Sequence, residues 1–254
     1  MWNGDYSFVL SNLIQKDFKI RYRNMSLGVF WSLLNPLVLM GVLTFVFTRL
    51  FPNPNIKHYA AFVLCGIVPY NFFVSAWASG TSSILDNTNL IKRVSVPREV
   101  FPLAAVLSTV PHLCIQVGLL LTITLLSRVF PNRYWLWLPY VWSMLAVFAC
   151  GISFITSALN VYIRDTRYIV ESSNTVLFWL VPIFYSFSMI RPEYRGIYLY
   201  NPLAAHVMVL RDILLDHRSP DASTLIKLTL SSVFMLLVGL SAFRMMKRYF
   251  YDYL

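Results

Sequence analysis

The sequence of 254 residues is 57% hydrophobic and 13% charged, and its mean hydropathy is +0.61. Charged residues make up about a quarter of a typical soluble domain, so this composition excludes the soluble globular class and indicates an integral membrane protein. The net charge of +10 could suggest nucleic acid as a partner. The basic residues, however, flank apolar runs and form no single patch, which is typical of membrane proteins and disfavours nucleic acid.

The N-terminal segment predicts an amphipathic helix over residues 6–22, because its apolar residues recur at helical spacing. We expect this interface helix to lie along the membrane surface. Its cations Lys16 and Arg21, with Arg23 just beyond, have two interpretations. They anchor the helix among anionic lipid headgroups, or they meet an anionic substrate or a partner protein. A short Ser-Leu-Gly joint then leads into the first apolar run.

Six apolar stretches are suited to cross a bilayer, which takes about 20 mainly apolar residues with no charge near the middle. They are residues 27–50, 59–79, 101–127, 134–159, 171–190 and 223–243. A further segment, 201–216, is too short to cross, and its Asn-Pro start predicts a re-entrant or interfacial helix on the outer side. We therefore predict an all-α integral membrane protein with a single domain and six transmembrane helices.

Both chain ends are expected on one side of the membrane, since six crossings return the chain to its starting side. Basic residues lie next to the first and the last span, so the positive-inside bias places both termini in the cytoplasm. Basic residues in the outer segments, among them Arg191 and Arg211, weaken that bias. The predicted localisation is the cell inner membrane, crossed several times.

Residues 80–100 form the second cytoplasmic loop of this topology. Ser82 or Ser83 is predicted to cap a short helix that runs through Leu90, with Pro97 fixing its exit. If a soluble partner binds such a helix, the helix can transmit a movement of that partner to the two spans above it. The alternative is an ordinary interfacial loop, and the sequence leaves both interpretations open.

The sequence lacks four common motifs for nucleotide binding, metal binding, thiol chemistry and nucleophilic catalysis. The chain has no Gly-x-x-x-x-Gly-Lys-Ser/Thr phosphate loop, no His-Glu-x-x-His, no Cys-x-x-Cys and no Gly-x-Ser-x-Gly. No carboxylate lies near the middle of a predicted span, which disfavours a secondary transporter or a channel that works alone. We predict no catalytic residue and no metal site, and the energy for transport must then come from another chain.

A membrane-embedded transferase acting on glycolipids is the other alternative. It would need a carboxylate or histidine cluster at the interface, and only the dipeptides Arg98-Glu99 and Arg164-Asp165 are candidates. They look more like paired loop charges than catalytic groups.

Four stretches carry a resemblance to a known family. They are Lys-Asp-Phe-Lys-Ile-Arg-Tyr-Arg with Ser-Leu-Gly-Val-Phe-Trp-Ser-Leu-Leu-Asn-Pro after it, Asn-Leu-Ile-Lys-Arg-Val-Ser-Val-Pro-Arg-Glu-Val-Phe-Pro, Leu-Asn-Val-Tyr-Ile-Arg-Asp-Thr-Arg-Tyr-Ile-Val with Pro-Ile-Phe-Tyr-Ser beyond it, and Tyr-Asn-Pro-Leu-Ala. In this order and at this spacing they resemble the membrane subunit of polysaccharide-exporting ABC transporters. That subunit belongs to the type-two exporter class, which serves O-antigen, capsule or teichoic acid export.

The resemblance implies a homodimer with two separate ATPase subunits, which bind ATP and Mg²⁺, while this chain holds no cofactor. The residues implied to seat in the ATPase are Ser82, Ile84, Leu85, Asp86, Asn87, Asn89, Leu90, Arg164 and Asp165. Leu27 and Gly28 would form the joint near the substrate entrance. The outer helix that begins at Asn201 would narrow the exit.

The implied substrate is a polysaccharide, O-antigen first among the three, on a polyprenyl pyrophosphate lipid. Lys16, Arg21 and Arg23 are the cations nearest the entrance for its diphosphate. Sugar rings stack on aromatic side chains, and repeated weak contacts let a polymer slide. The candidate channel aromatics are Tyr70, Phe72, Phe73, Trp77, Trp179, Phe184 and Tyr185. Because aromatic residues make up 16% of the chain, packing or the membrane interface is the alternative for each.

Overall fold

The computed structural model describes residues 6–22, 30–52, 56–93, 96–199 and 201–253. Every regular element in that part of the chain is helical, which confirms the all-α class. The α-helices are α1 (Tyr6–Tyr22), α2 (Phe30–Phe45), α3 (Tyr59–Asp86), α4 (Thr88–Arg93), α5 (Val100–Leu107), α6 (Val110–Leu126), α7 (Leu138–Tyr162), α8 (Thr166–Leu180), α9 (Pro192–Leu199), α10 (Pro202–Leu214) and α11 (Ala222–Met246). Short π- or 3₁₀-helical turns lie at Val46–Leu50, Arg133–Trp137, Phe187–Met189 and Lys247–Asp252.

Five helical stretches of the described chain are long and apolar enough to cross a membrane. They are Phe30–Leu50, Tyr59–Asp86, Val100–Leu126, Arg133–Tyr162 and Ala222–Phe250. They correspond to five of the six predicted spans, and the second continues beyond its predicted end to Asp86. The remaining span, predicted over 171–190, is not a continuous helix, so the count of six spans is not confirmed.

Both described ends of the chain lie at the same end of the helix bundle, which we call the terminal face. There α1 packs against α5, and Lys247, just after α11, forms an ion pair with Glu99, just before α5. The opposite end, the distal face, holds the start of α3, the start of α7 and the end of α10. Asn132, before α7, donates there to the carbonyl oxygen of Ile213 over 3.1 Å.

The chain runs along the bundle once more as a broken passage, which consists of α8 and the non-helical residues 181–186. The Tyr70 hydroxyl, in the middle of α3, donates to the carbonyl oxygen of Asn174. The Tyr59 hydroxyl, at the distal start of α3, donates to that of Phe184 over 2.7 Å. The broken passage is therefore antiparallel to α3 and ends at the distal face.

Pro182 explains why the predicted helix over 171–190 stops early. Proline has no N–H to donate and disfavours helical geometry in the residue before it. Val181 accordingly adopts extended angles, with φ −96° and ψ 134°, and α8 ends at Leu180. The helical part of the predicted span therefore ends at Leu180, and the rest of it is non-helical up to Ser186, which hydrophobicity alone does not report.

Glycines permit close contacts between these elements, as two examples show. A Cβ atom on Gly66 in α3 would lie 2.8 Å from the Cα atom of Ile183, so the broken passage can approach α3 only where no side chain intervenes. A Cβ atom on Gly151 in α7 would lie 2.5 Å from the carbonyl carbon of Met235 in α11. These distances are shorter than van der Waals contact, so both packings depend on glycine.

The start of α10 is confirmed where the Asn-Pro pair predicts it. The Asn201 side chain accepts a 3.0 Å hydrogen bond from the Leu203 backbone N–H, which is the geometry of a helix N-cap. The apolar side of α10 is buried against the rest of the bundle. Its re-entry into the bilayer stays a prediction.

Candidate functional site

Arg211 is a buried cation at the distal end of the broken passage. Its side chain is 8% exposed, and it donates to the carbonyl oxygens of Ile183 over 2.7 Å and Phe62 over 3.3 Å. Its guanidinium carbon also lies 3.5 Å from the centroid of the Phe62 ring. Backbone that leaves a helix inside a membrane protein needs such partners, because unsatisfied carbonyl groups are costly there. Arg211 thus stabilises the backbone where α8 has ended.

Sequence reasoning missed this role, because it counted Arg211 only as an outer charge. The signal that could have found it is its position four residues after Val207, on the apolar side of α10. A cation on the buried side of a helix requires a partner inside the protein.

The seven candidate channel aromatics separate into two groups. Phe72 and Phe73 are 1% exposed, and Trp77 is buried with its indole N–H donating to the Thr156 hydroxyl over 3.2 Å. These three side chains fill the interior of the subunit, because α3 is enclosed by α5, α7 and α8. Within the described subunit no open surface reaches them, so packing accounts for them.

The other four aromatics lie along the side of the broken passage. Trp179 is 62% exposed, whereas Phe184 and Tyr185 are half-buried. Tyr70 is buried, but it borders a groove of about 420 Å³ between α3 and α8. Phe178, Trp179, Glu171 and Asn174 also line this groove, so it combines aromatic faces with polar groups.

The expected helix caps on the terminal face are wrong. Helix α3 continues through the serine pair to Asp86, and the Ser83 hydroxyl donates back to the carbonyl oxygen of Gly80 over 2.7 Å. The short helix of this region is α4, which begins after Asn87. Serine can bond to its own helix as well as cap the next one, and the sequence alone does not decide between them.

The residues implied to contact an ATPase differ in exposure. Asp86, Asn89, Arg164 and Asp165 are exposed on the terminal face, and Ser82, Leu85 and Leu90 are partly exposed. Ile84 is 0% exposed and Asn87 is buried, so neither side chain offers a contact surface. Their positions suit holding the end of α3 in place.

Lys16, a predicted residue of the substrate entrance, contacts the end of α3 on the terminal face. Its ammonium group donates a 2.6 Å hydrogen bond to Oδ1 of Asn87, at the turn between α3 and α4. It is therefore bound to the protein and not held out as a free cation. Of the other entrance residues, the Arg21 side chain, Arg23, Leu27 and Gly28 lie outside the described part of the chain.

Glu99 belongs to an anchor at the terminal face. Burial raises the pKa of its carboxyl group, but the hydrogen bond and charge of Lys247 outweigh this effect, so the net pKa lies below the ordinary value. Arg98 donates to the carbonyl oxygen of Lys247 over 2.7 Å. The Arg98-Glu99 pair thus holds the C-terminal end of α11, which is a structural task and not that of a transferase.

Comparison with known proteins places this helical architecture in a family. Residues 9–215 match the profile described as ABC-2 type transporter. The chain belongs to the ABC-2 type transporter family. Among its relatives is an O-antigen export system permease protein RfbA of Klebsiella pneumoniae, 29% identical over 255 residues that cover 100% of this chain and 98% of the relative. The RfbA permease of Myxococcus xanthus is 30% identical over 94% of this chain and 92% of its own length.

A more distant relative of this chain is the polysialic acid transport protein KpsM of Escherichia coli. It is 23% identical over 91% of either chain. The family and its relatives establish the chain as a multi-pass membrane permease subunit of an ABC transporter. The resemblance noted in the sequence is thereby confirmed.

Proposed function

We propose that this chain is the membrane subunit of an exporter that moves a lipid-linked polysaccharide, of O-antigen type, across the cell inner membrane. The observation that carries the proposal is the similarity to a permease named for O-antigen export, which extends over 100% of this chain and 98% of that relative. The secondary transporter and the transferase have no comparable support.

ATP hydrolysis on a separate subunit is part of the proposal. The sequence has no nucleotide phosphate loop, and ABC-2 permeases are transport subunits, so ATP and Mg²⁺ would bind to a partner ATPase. The terminal face supports docking of that partner, because Asp86, Asn89, Arg164 and Asp165 are exposed there together. Two copies of this chain and two of the ATPase would make the complete exporter.

The terminal face would then face the cytoplasm and the distal face the outer side. Export would start near α1 and follow the exposed side of the broken passage. The groove of Tyr70, Phe178 and Trp179 supports this route, because aromatic faces stack on sugar rings and the exposed Glu171 carboxylate can bond to hydroxyl groups. A second copy of the chain opposite this groove would complete a channel.

A deletion strain tests the proposed function. Loss of the gene should leave lipid-linked polysaccharide on the cytoplasmic side and remove it from the cell surface, and the wild-type gene should restore it. Purification of the tagged chain should bring along an ATPase whose activity belongs to the complex. A deletion strain with normal surface glycan, or ATP hydrolysis by the isolated chain, would overturn the proposal.

A further inference from the structure

A cavity of about 660 Å³ opens at the distal face, separate from the groove between α3 and α8. It lies between the start of α3, the connection from α6 to α7, and the end of α10. Four cationic side chains and two carboxylates line it: Lys57, Arg128, Arg211, Arg218, Asp212 and Asp216. Cavities with converging charges are the default candidates for ligand sites.

The carboxylates do not neutralise most of these cations. Arg218 forms ion pairs with both Asp212, over 3.6 Å, and Asp216. Lys57, Arg128 and Arg211 have no carboxylate within ion-pair distance among the described residues. Three positive groups from three different segments therefore line one cavity without an ion pair to either of its carboxylates, and four cations against two carboxylates leave the lining net positive. Such convergence raises the local concentration of anions.

Arg211 provides the observation that points to a ligand. It is 8% exposed, and two of its guanidinium nitrogens are held by backbone carbonyl groups, so its orientation is fixed. Its Nε atom is buried and has no hydrogen-bond partner in the described part of the chain. The carbonyl groups that hold Arg211 are neutral, so its buried positive charge is left for an anion in the cavity to balance.

The backbone around the cavity is unusual as well. Among the described residues, the non-glycine residues with positive φ are His58 (53°), Arg128 (61°) and His217 (52°), and all three line this cavity. Left-handed backbone is unfavourable for residues other than glycine, and such strained positions cluster at functional sites. It is consistent with a ligand site at the cationic cluster, where the charge of Arg211 is buried.

We propose that this cavity binds an oxyanion of the phosphate class, held by Lys57, Arg128 and Arg211. Guanidinium groups match the oxygens of phosphate in geometry and charge, and the ammonium group of Lys57 adds a third contact. The anion is either free phosphate or the headgroup of a lipid in the leaflet at the distal face. The inference does not depend on which polymer the protein transports.

The test uses the full-length chain in nanodiscs of phosphatidylcholine. Inorganic phosphate should raise its unfolding temperature in a saturable way, because a ligand that binds only the folded state stabilises it. Lys57→Gln and Arg128→Gln should each weaken the apparent affinity by about tenfold, roughly the loss of one charge-assisted hydrogen bond. Both residues are exposed, so these variants are expected to fold even if Arg211→Gln does not.

Arg133→Gln is the matched control, because Arg133 is exposed on the same face and its replacement removes the same charge, yet it does not line the cavity. A second arm uses phosphatidylglycerol nanodiscs and counts, by native mass spectrometry, the anionic lipids retained by the chain. Phosphate binding in the first arm identifies a soluble anion as the ligand. Retention that Arg128→Gln abolishes and Arg133→Gln preserves identifies a headgroup. The proposal is overturned if neither anion distinguishes the wild type from Arg128→Gln, or if Arg133→Gln has an equal effect.

Discussion

The ammonium group of Lys16 in α1 donates a hydrogen bond of 2.6 Å to Oδ1 of Asn87, at the turn between α3 and α4. Asn87 also donates through its amide to the carbonyl oxygen of Ser83 over 2.8 Å, which fixes the side chain in place. The N-terminal helix is thus tied to the end of the central helix. This hydrogen bond would therefore transmit to α1 any displacement of α4 by a bound partner.

The first prediction concerns this link. Lys16→Met keeps the length of the side chain but removes its donor, so export should fall severalfold while the complex still assembles. Lys19→Met, on the exposed side of the same helix, is the control and should export normally. A double-mutant cycle with Asn87→Leu should give a coupling of about 1 kcal/mol in the free energy of unfolding. Additive effects of the two substitutions would show that the hydrogen bond contributes nothing.

The second prediction concerns the contact between α7 and α11. Gly151→Ala places a Cβ atom 2.5 Å from the carbonyl carbon of Met235, and backbone cannot move aside as a flexible side chain can. We expect a loss of about 1–3 kcal/mol in the free energy of unfolding, the range for overpacking a close contact. Gly118→Ala in α6 is the control, because no atom lies within 4 Å of the position that its Cβ atom would take. It should be neutral or stabilising, since alanine favours helix by up to about 1 kcal/mol over glycine. Thermal unfolding in detergent distinguishes the two.

The sequence predicts the features that depend on local residues, but not those that depend on contacts between distant segments. Five spans and the start of α10 at Asn201 follow from hydrophobicity and from the cap, because those signals are local. The interior position of Phe72 and Phe73 does not follow, because a helix that is apolar on every side reads the same whether lipid or protein surrounds it. The role of Arg211 depends on the carbonyl groups of Ile183 and Tyr185, which the break at Pro182 leaves free and which are remote from Arg211 in sequence.

The third prediction concerns pH. The pKa of Glu99 is lowered from its ordinary value of 4.5, so its pairing with Lys247 stabilises the fold above that value. The stabilisation is lost as the pH falls through the lowered pKa. At pH 7, Glu99→Gln should therefore be less stable than the wild type by about 0.5–1 kcal/mol, the scale of a partly exposed pair. The difference should disappear in strongly acidic buffer. A difference that persists unchanged there would assign the effect to packing instead of charge.

The last prediction separates docking of the ATPase from support of the fold. Asn89 is exposed on the terminal face, within α4, so Asn89→Glu should leave thermal unfolding unchanged and yet reduce the ATPase that co-purifies with the chain. Ile84 is 0% exposed, so Ile84→Glu buries a charge and should lower the yield of folded protein itself. Tyr249→Glu, which places a new carboxylate elsewhere at the exposed terminal end, is the control for added charge. Normal co-purification with Asn89→Glu would remove α4 from the docking surface and leave the loop of Arg164 and Asp165 as the contact.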